Sequence, residues 1–190
     1  VDKDGLTDED GTALVGLARR AVSDHLLGRQ TVPDDALKSR FSFRAGVFVT
    51  LNSGGSLRGC IGFVAPRKRL YGALVEAAVA AATRDPRFLP VQSGQLGRIK
   101  FEVTVLSEPQ KMAVSNPNQY LSGIRIGMDG LLIRRDSSSG LLLPQVPAEY
   151  GWSPQEFLEH ACEKAGLPRY SWRDESTEVL RFGGTVFREG

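Results

Sequence analysis

The 190-residue sequence contains few of the residues on which many common functional sites depend: two cysteines, two histidines and two methionines. Two cysteines cannot build a disulfide-rich framework, so Cys60 and Cys162 are expected to be free thiols in a reducing compartment. The sequence contains no CxxC, HExxH, Walker or dinucleotide-binding glycine motif. This absence argues against zinc, nucleotide triphosphate or NAD dependence, so we predict neither a metal nor a cofactor.

Long apolar runs and a large excess of one charge are also missing. No apolar run approaches the ~18 residues that a membrane span needs, so no membrane association is predicted. The acidic start, Val1-Asp2-Lys3-Asp4, lacks the apolar core of a signal peptide, which favours a cytoplasmic protein. A formal charge of +2 is too small to indicate a phosphate-binding face. Nucleic-acid binding is therefore not expected, and RNA binding or modification is only a weak alternative.

Helical spacing of apolar residues predicts three helices. Thr7 caps the first, whose apolar stripe begins at Leu14 and ends before Gly28. A stripe of small side chains over 70–81 predicts the second. The third is expected to begin at the capping box Ser153-Pro154-Gln155-Glu156, which has proline at the first helical position.

Alternating apolar residues and turn signals predict strands between these helices. The predicted strand segments are 41–51, 57–63, 99–105, 124–126, 130–134, 141–143 and 177–187, the last with a break at Gly183-Gly184. This order favours an α+β fold, with a mainly antiparallel sheet and flanking helices. Residues 1–190 are expected to form a single domain, in which residues 116–147 build a smaller lobe.

The most informative segment is the hexapeptide Leu57-Arg58-Gly59-Cys60-Ile61-Gly62, which follows an Asn52-Ser53-Gly54-Gly55 turn. It is expected to be a hairpin strand that leads toward the alanine-rich helix. Strand alternation places Arg58 and Cys60 on one face, about 7 Å apart. Gly59, Cys60 and Gly62 have two interpretations. Either the small residues receive the helix in a close contact, or they form a site, as the arginine beside them suggests.

A nucleophilic thiol must be ionised part of the time, and a nearby cation lowers a thiol pKa from about 8.5 toward neutrality. Arg58 is a candidate for that cation, and Glu102 or Asp85 for a general acid or base. Neither His25 nor His160 is positioned by the sequence as a convincing partner. Three hypotheses stay open: a thiol enzyme, a cleft that binds a small polar or anionic ligand, and a protein-binding module.

The hexapeptide resembles the signature of the AMMECR1 domain family. Further matching segments follow in the family's order over nearly the whole chain: 46–51, 81–88, 101–106, 130–133, 142–146, Trp152 and 162–167. The resemblance implies an α+β protein of two lobes with a cleft between them, the hexapeptide near that cleft, and no settled biochemical activity. It also implies a pathway link to Memo-like and radical SAM proteins.

The residues that match the family pattern supply the predicted site. The predicted catalytic residues are Cys60 and Glu102. The predicted substrate-binding residues are Arg58, Gly59, Gly62, Asp85, Arg87, Phe88, Gln145 and Trp152. Gln145 is expected in a rigid, extended segment because it lies between Pro144 and Pro147. The expected ligand is a small polar molecule turned over by Cys60; the alternative is a non-catalytic module that binds a ligand or a protein partner.

Overall fold

The computed structural model describes residues 5–64 and 68–190, so the acidic start at residues 1–4 lies outside the described residues. The chain divides into two compact units, unit 1 formed by residues 1–107 and 185–190 and unit 2 by residues 108–184. Within the described residues, each unit contains one four-stranded sheet. The predicted α+β class with antiparallel pairing is confirmed.

Unit 1 packs helices against one face of its sheet, whose strand order is β2-β1-β3-β8. Its elements are α1 (Asp8–Leu26), α2 (Asp35–Arg40), β1 (Val47–Ser53), β2 (Ser56–Phe63), α3 (Leu70–Thr83), a 3-10 helix (Ser93–Arg98), β3 (Ile99–Leu106) and β8 (Gly184–Arg188). The Thr7 hydroxyl caps α1 by accepting the backbone N–H of Asp10. Val47, Val49 and Leu51 of β1 are fully buried beneath α3 and α1.

The first strand is shorter at its start than the sequence predicts. β1 begins at Val47, whereas the predicted segment began at Phe41. Phe41 is buried in the core of unit 1, where it follows α2 and lies outside any strand. The aromatic and apolar character of residues 41–46 therefore reflects core packing, which a strand-like composition does not distinguish from a strand.

Unit 2 contains a sheet with strand order β4-β7-β5-β6. Its elements are β4 (Gln110–Lys111), α4 (Asn118–Gly123), β5 (Gly130–Arg135), β6 (Ser138–Leu142), α5 (Gln145–Tyr150), α6 (Pro154–Lys164), a 3-10 helix (Ser171–Arg173) and β7 (Glu178–Phe182). Helix α6 packs on β5 and β6 through Phe157, Leu158 and Ala161. The predicted strand at 124–126 is wrong, because these residues lie in the turn between α4 and β5.

The expected strand break near the C-terminus is confirmed and separates the two sheets. Strand β7 ends at Phe182 in the sheet of unit 2, and β8 starts at Gly184 in the sheet of unit 1. The chain therefore returns to its first unit for its last residues. None of the described residues forms a helix that is both long enough and apolar enough to cross a membrane.

Candidate functional site

Cys60 lies on the face of the unit 1 sheet that points away from α1 and α3. Successive residues of β2 point to alternate faces of the sheet. Gly59, which pairs with Leu51, and Ile61, which pairs with Val49, face the core. Cys60, opposite Thr50, therefore projects to the other face, where it is partly exposed. The interpretation that Cys60 is small in order to pack beneath the alanine-rich helix is wrong.

Gly59 is the residue that receives α3. A Cβ atom added at Gly59 would lie 2.2 Å from the backbone carbonyl oxygen of Ala81, a distance that real Cβ contacts do not reach. Gly62 also meets close neighbours, since a Cβ atom there would lie 2.4 Å from Cγ of Phe48. Packing therefore requires both glycines of the hexapeptide, independently of any substrate.

A polar row crosses four strands on the side of the sheet that the helices do not cover. The Thr50 hydroxyl donates a hydrogen bond to Cys60 Sγ at 3.3 Å. On the other side, Thr50 is paired with Glu102 of β3. Adjacent strands are ~4.8 Å apart, so the backbones of Cys60 and Glu102 are separated by about 10 Å with Thr50 between them. Arg188 Nε of β8 donates to the Glu102 carboxylate at 2.7 Å, and the Glu102 side chain is 20% exposed.

The backbone of Cys60 is held at the free edge of the sheet by the segment after α3. The Cys60 N–H donates to Asp85 Oδ2 at 2.8 Å, and Arg87 Nη2 donates to the Cys60 carbonyl oxygen at 3.5 Å. Arg87 Nη2 also donates to Asp85 Oδ2 at 2.7 Å. This segment thus satisfies the edge groups that a further strand would otherwise pair.

Asp85 is buried, with 4% exposure, yet it is held as a carboxylate. Hydrogen bonds from Arg87 keep the Asp85 pKa well below its usual range, and the backbone N–H groups of Cys60 and Arg87 lower it further, whereas burial acts in the opposite direction. Asp85 therefore acts as a fixed negative charge that anchors the strand edge carrying Cys60. Its predicted role beside Cys60 becomes one of positioning in this geometry.

Arg58 occupies a bulge in β2. Leu51 pairs with Gly59 and Asn52 pairs with Leu57, so Arg58 is the extra residue between these pairs. Its guanidinium lies 6.0 Å from the centre of the Phe88 ring and donates to Gln95 at 3.3 Å. The regular alternation that predicted Arg58 and Cys60 on one face therefore stops at Gly59.

Phe88 is flanked by two guanidinium groups at this edge. Arg87 lies 5.5 Å from the Phe88 ring centre, and Arg58 approaches the same ring. The structure thus brings five predicted residues into one edge cluster around Cys60: Cys60, Arg58, Asp85, Arg87 and Phe88. The guanidinium that contacts the cysteine, through its carbonyl oxygen, belongs to Arg87.

Gln145 and Trp152 belong to unit 2. Gln145 is exposed at the first position of α5, so the predicted extended segment is wrong. Proline is tolerated in the first turn of a helix because the N–H groups there have no intrahelical partner, and Pro144 and Pro147 occupy such positions. Trp152 is stacked between the rings of Tyr150 and His160, with centre distances of 5.1 Å and 4.0 Å.

Sequence reasoning missed Thr50 and Arg188, which complete the polar row. Counting back from the two-residue turn Gly54-Gly55 would pair Thr50 with Gly59, and only the bulge at Arg58 moves Thr50 opposite Cys60. Arg188 lies after the strand break, where the sequence carries no signal for its sheet partner. Among residues 5–64 and 68–190, no group of three histidine, cysteine, aspartate or glutamate side chains is placed to hold a metal ion.

Comparisons with known proteins find similarity along nearly the whole chain. The AMMECR1 family model matches residues 15–187. A protein of Methanothermobacter thermautotrophicus is 48% identical over 186 residues, which cover 97% of this chain and 96% of that protein. Protein MK0488 of Methanopyrus kandleri is 47% identical over 187 residues, with 97% and 90% coverage. The crystal structure of the uncharacterized protein PH0010 from Pyrococcus horikoshii matches with a TM-score of 0.80 and 42% identity, covering 97% of this chain and 93% of that chain.

Proposed function

The chain belongs to the AMMECR1 family, and from the arrangement around Cys60 we propose that it is an enzyme that uses this thiol on a small polar substrate. The observation that carries the proposal is the hydrogen bond from the Thr50 hydroxyl to Cys60 Sγ, on a sheet face that the core helices do not cover. A donor aimed at the sulfur supports the negative charge that sulfur carries when its proton leaves.

The proposed reaction begins with attack by sulfur on a carbonyl carbon. A carbon–sulfur bond forms, the π electrons of the C=O bond move to its oxygen, and the thiol proton passes to the Glu102 carboxylate through a water molecule, while the Thr50 hydroxyl donates to the sulfur. When the C=O bond re-forms, the bond between the carbonyl carbon and the leaving group breaks, and the leaving group takes the proton from Glu102. Water then hydrolyses the resulting thioester, which releases a carboxylic acid and restores the thiol. The Arg87 charge is balanced by Asp85, so the positive charge at the adjacent strand edge comes from Arg58, whose guanidinium lies beside the Phe88 ring, and it favours polar or anionic substrates.

A second candidate function has one observation in its favour. The Glu102 carboxylate is engaged by Arg188, as expected of a structural ion pair, and a proton-transfer role requires that this contact loosen during turnover. A non-catalytic module would instead hold a polar ligand or protein partner at the Cys60 edge without changing it. The pathway link to Memo-like and radical SAM proteins that the family resemblance implies would be compatible with either candidate.

If Cys60 and Glu102 carry out the reaction, turnover should be lost when either of these two residues is changed. Wild type, Cys60→Ser and Glu102→Gln are incubated with the small-molecule fraction of an archaeal cell extract, and metabolites are quantified by mass spectrometry over time. Wild type should consume a small polar metabolite in molar excess over protein, and each variant should slow this by about 100-fold or more.

Glu178→Gln is the matched control, because Glu178 is a partly exposed carboxylate of unit 2 paired with Lys111. This control should turn over the same metabolite at the wild-type rate. Depletion that stops at one equivalent of protein and persists in Cys60→Ser indicates the binding module. If wild type consumes no metabolite in more than one molar equivalent of protein, the enzyme proposal is contradicted.

A further inference from the structure

Unit 2 contains a cavity of about 440 Å³ that the Cys60 proposal does not use. It is lined by residues of the 111–117 segment, Tyr120 of α4, Trp172 and Arg173 of the second 3-10 helix, and Asp174, Glu175 and Thr177, which follow that helix. Its volume falls in the range of about 300–1,000 Å³ that is typical of small-molecule sites. All of its lining residues belong to unit 2.

Two residues that line the cavity carry buried polar atoms without a partner. Trp172 is 1% exposed and Thr177 is 4% exposed. Among the residues that the structure describes, neither the Trp172 indole N–H nor the Thr177 hydroxyl makes a hydrogen bond. Buried donors in folded proteins are almost always paired, so two orphans in residues that line one cavity favour a bound molecule as their partner. Neither atom is open to a water molecule in this structure, so a ligand reaches them only after both side chains turn toward the cavity. An indole N–H can only donate, so that molecule must offer an acceptor.

The remaining lining defines the rest of the ligand. Met112, Val114 and Tyr120 present apolar surface, and the Tyr120 ring meets the Trp172 ring edge-on at 6.4 Å. The exposed Arg173 guanidinium lies 4.7 Å from the Trp172 ring centre. Within the described part of the chain, Arg173 has no carboxylate partner, so its charge is available at the rim.

The other charged groups at the rim are mostly paired. Lys111 binds Glu178 at 2.9 Å, and Asp174 binds Arg135 at 3.0 Å. Glu175 also lines the cavity and opposes an anionic ligand there. Loss of the Glu175 charge should therefore strengthen anion binding, and loss of the Arg173 charge should weaken it.

We propose that this cavity binds a small carboxylic acid with an apolar body. The carboxylate accepts hydrogen bonds from the Trp172 indole and the Thr177 hydroxyl and faces the Arg173 guanidinium, while the apolar body packs on Met112, Val114 and Tyr120. This site is independent of the Cys60 site, so either proposal can fail without the other.

Benzoate is a suitable probe, and the Trp172 indole N–H resonance in a proton–nitrogen correlation spectrum is the readout. The Trp152→Phe variant assigns that resonance, because Trp152 is the second tryptophan of the chain. Benzoate should shift the Trp172 signal in a saturable way, and benzamide, which keeps the carbonyl but lacks the charge, should bind about three- to tenfold more weakly.

Three variants test the named contacts. Arg173→Gln should weaken benzoate about three- to tenfold, whereas Arg20→Gln, an exposed arginine of α1, should leave it unchanged. Glu175→Gln should strengthen benzoate binding. Thr177→Val keeps the side-chain shape and removes the orphan hydroxyl, so it should raise the midpoint of thermal unfolding and weaken benzoate.

Each contrary result overturns the proposal. If benzoate causes no saturable shift of the Trp172 signal, the cavity is not a binding site for it. If benzoate and benzamide bind equally, the site does not recognise a carboxylate. A lowered unfolding midpoint in Thr177→Val shows that the hydroxyl already has a partner in the free protein, which removes the reason to assign it to a ligand.

Discussion

Asp85 connects the candidate site to the stability of unit 1. Its carboxylate accepts hydrogen bonds from the Cys60 N–H, the Arg87 N–H and the Arg87 guanidinium while its side chain is almost fully buried. Each of these bonds favours the ionised form, so the Asp85 pKa is lowered on folding. The residue that positions Cys60 therefore also makes the stability of unit 1 depend on pH.

Asp85→Asn should destabilise the protein by about 1–3 kcal/mol at pH 7, because the Arg87 guanidinium and the Cys60 N–H lose a charged acceptor. A carboxyl whose pKa is lowered on folding stabilises the folded state above its unfolded pKa of about 3.9, and this contribution declines as pH falls below that value. The difference between wild type and variant in urea unfolding should therefore be full at pH 7 and 5 and smaller at pH 3.

Asp35→Asn is the control for that comparison, because the Asp35 side chain is fully exposed in its pair with Lys38. Its effect on the free energy of unfolding should stay within about 0.5 kcal/mol at every pH. A constant deficit of Asp85→Asn from pH 7 to 3 would show that the folded state does not lower the pKa of this carboxyl.

The importance of single residues could be predicted only in part. Cys60 and its flanking glycines are conspicuous in the sequence, because a cysteine and two glycines within one strand pattern need an explanation. Thr50 has no such signal, since its contact with Cys60 depends on the bulge at Arg58, which shifts the hairpin pairing by one residue. The bulge itself is not visible in a pattern of apolar alternation.

At the scale of elements, the contact between β2 and α3 determines which residues can lie in the hexapeptide. Alanine side chains on α3 let the helix approach until the Ala81 carbonyl oxygen lies over Gly59. This leaves no room for a side chain at Gly59 and leaves the next residue, Cys60, on the opposite face. Tight packing on one side of β2 thus accompanies the open presentation of the thiol on the other side.

Gly59→Ala should destabilise unit 1 by about 1–3 kcal/mol, because the added methyl group forces β2 and α3 apart. Gly94→Ala is the matched control, since a Cβ atom there meets nothing within 4 Å. Urea unfolding of both variants makes the comparison. Equal stability of Gly59→Ala and wild type would contradict the close helix contact. The glycine would then be explained by ligand binding instead of packing.

Elements with strong terminal signals were predictable. The capping boxes at Thr7 and Ser153 begin α1 and α6 at the expected residues. Helix α5 was not predictable. It begins at Gln145 without a capping side chain, and Pro144 and Pro147 on either side of that start suggest an extended chain. Short elements of this kind depend on tertiary packing more than on local sequence.

At the scale of the molecule, the return of the C-terminus completes the polar face of unit 1. Strand β8 adds to β3 and brings Arg188 to Glu102, although these residues are far apart in sequence. The glycine pair predicted a break before β8, but a break does not reveal which sheet the next strand joins. Assignment of strands to sheets depends on long-range pairing, which local periodicity does not encode.

The sheet of unit 1 therefore has two different faces, one covered by α1 and α3 and one carrying Cys60, Thr50 and Glu102. We propose that this second face presents a reactive thiol. Cys162 supplies an internal comparison in unit 2, because it is fully buried and burial raises its thiol pKa to about 11.

The most direct test is the rate of iodoacetamide alkylation at each cysteine of the folded protein near neutral pH, followed by peptide mass spectrometry. Cys60 should react about tenfold faster than a free model thiol, and Cys162 should stay unmodified. Thr50→Val should slow the reaction of Cys60, whereas Thr50→Ser, which keeps the hydroxyl, should not. Alkylation of Cys60 no faster than that of the model thiol, or unaffected by Thr50→Val, would contradict a reactive centre on this face.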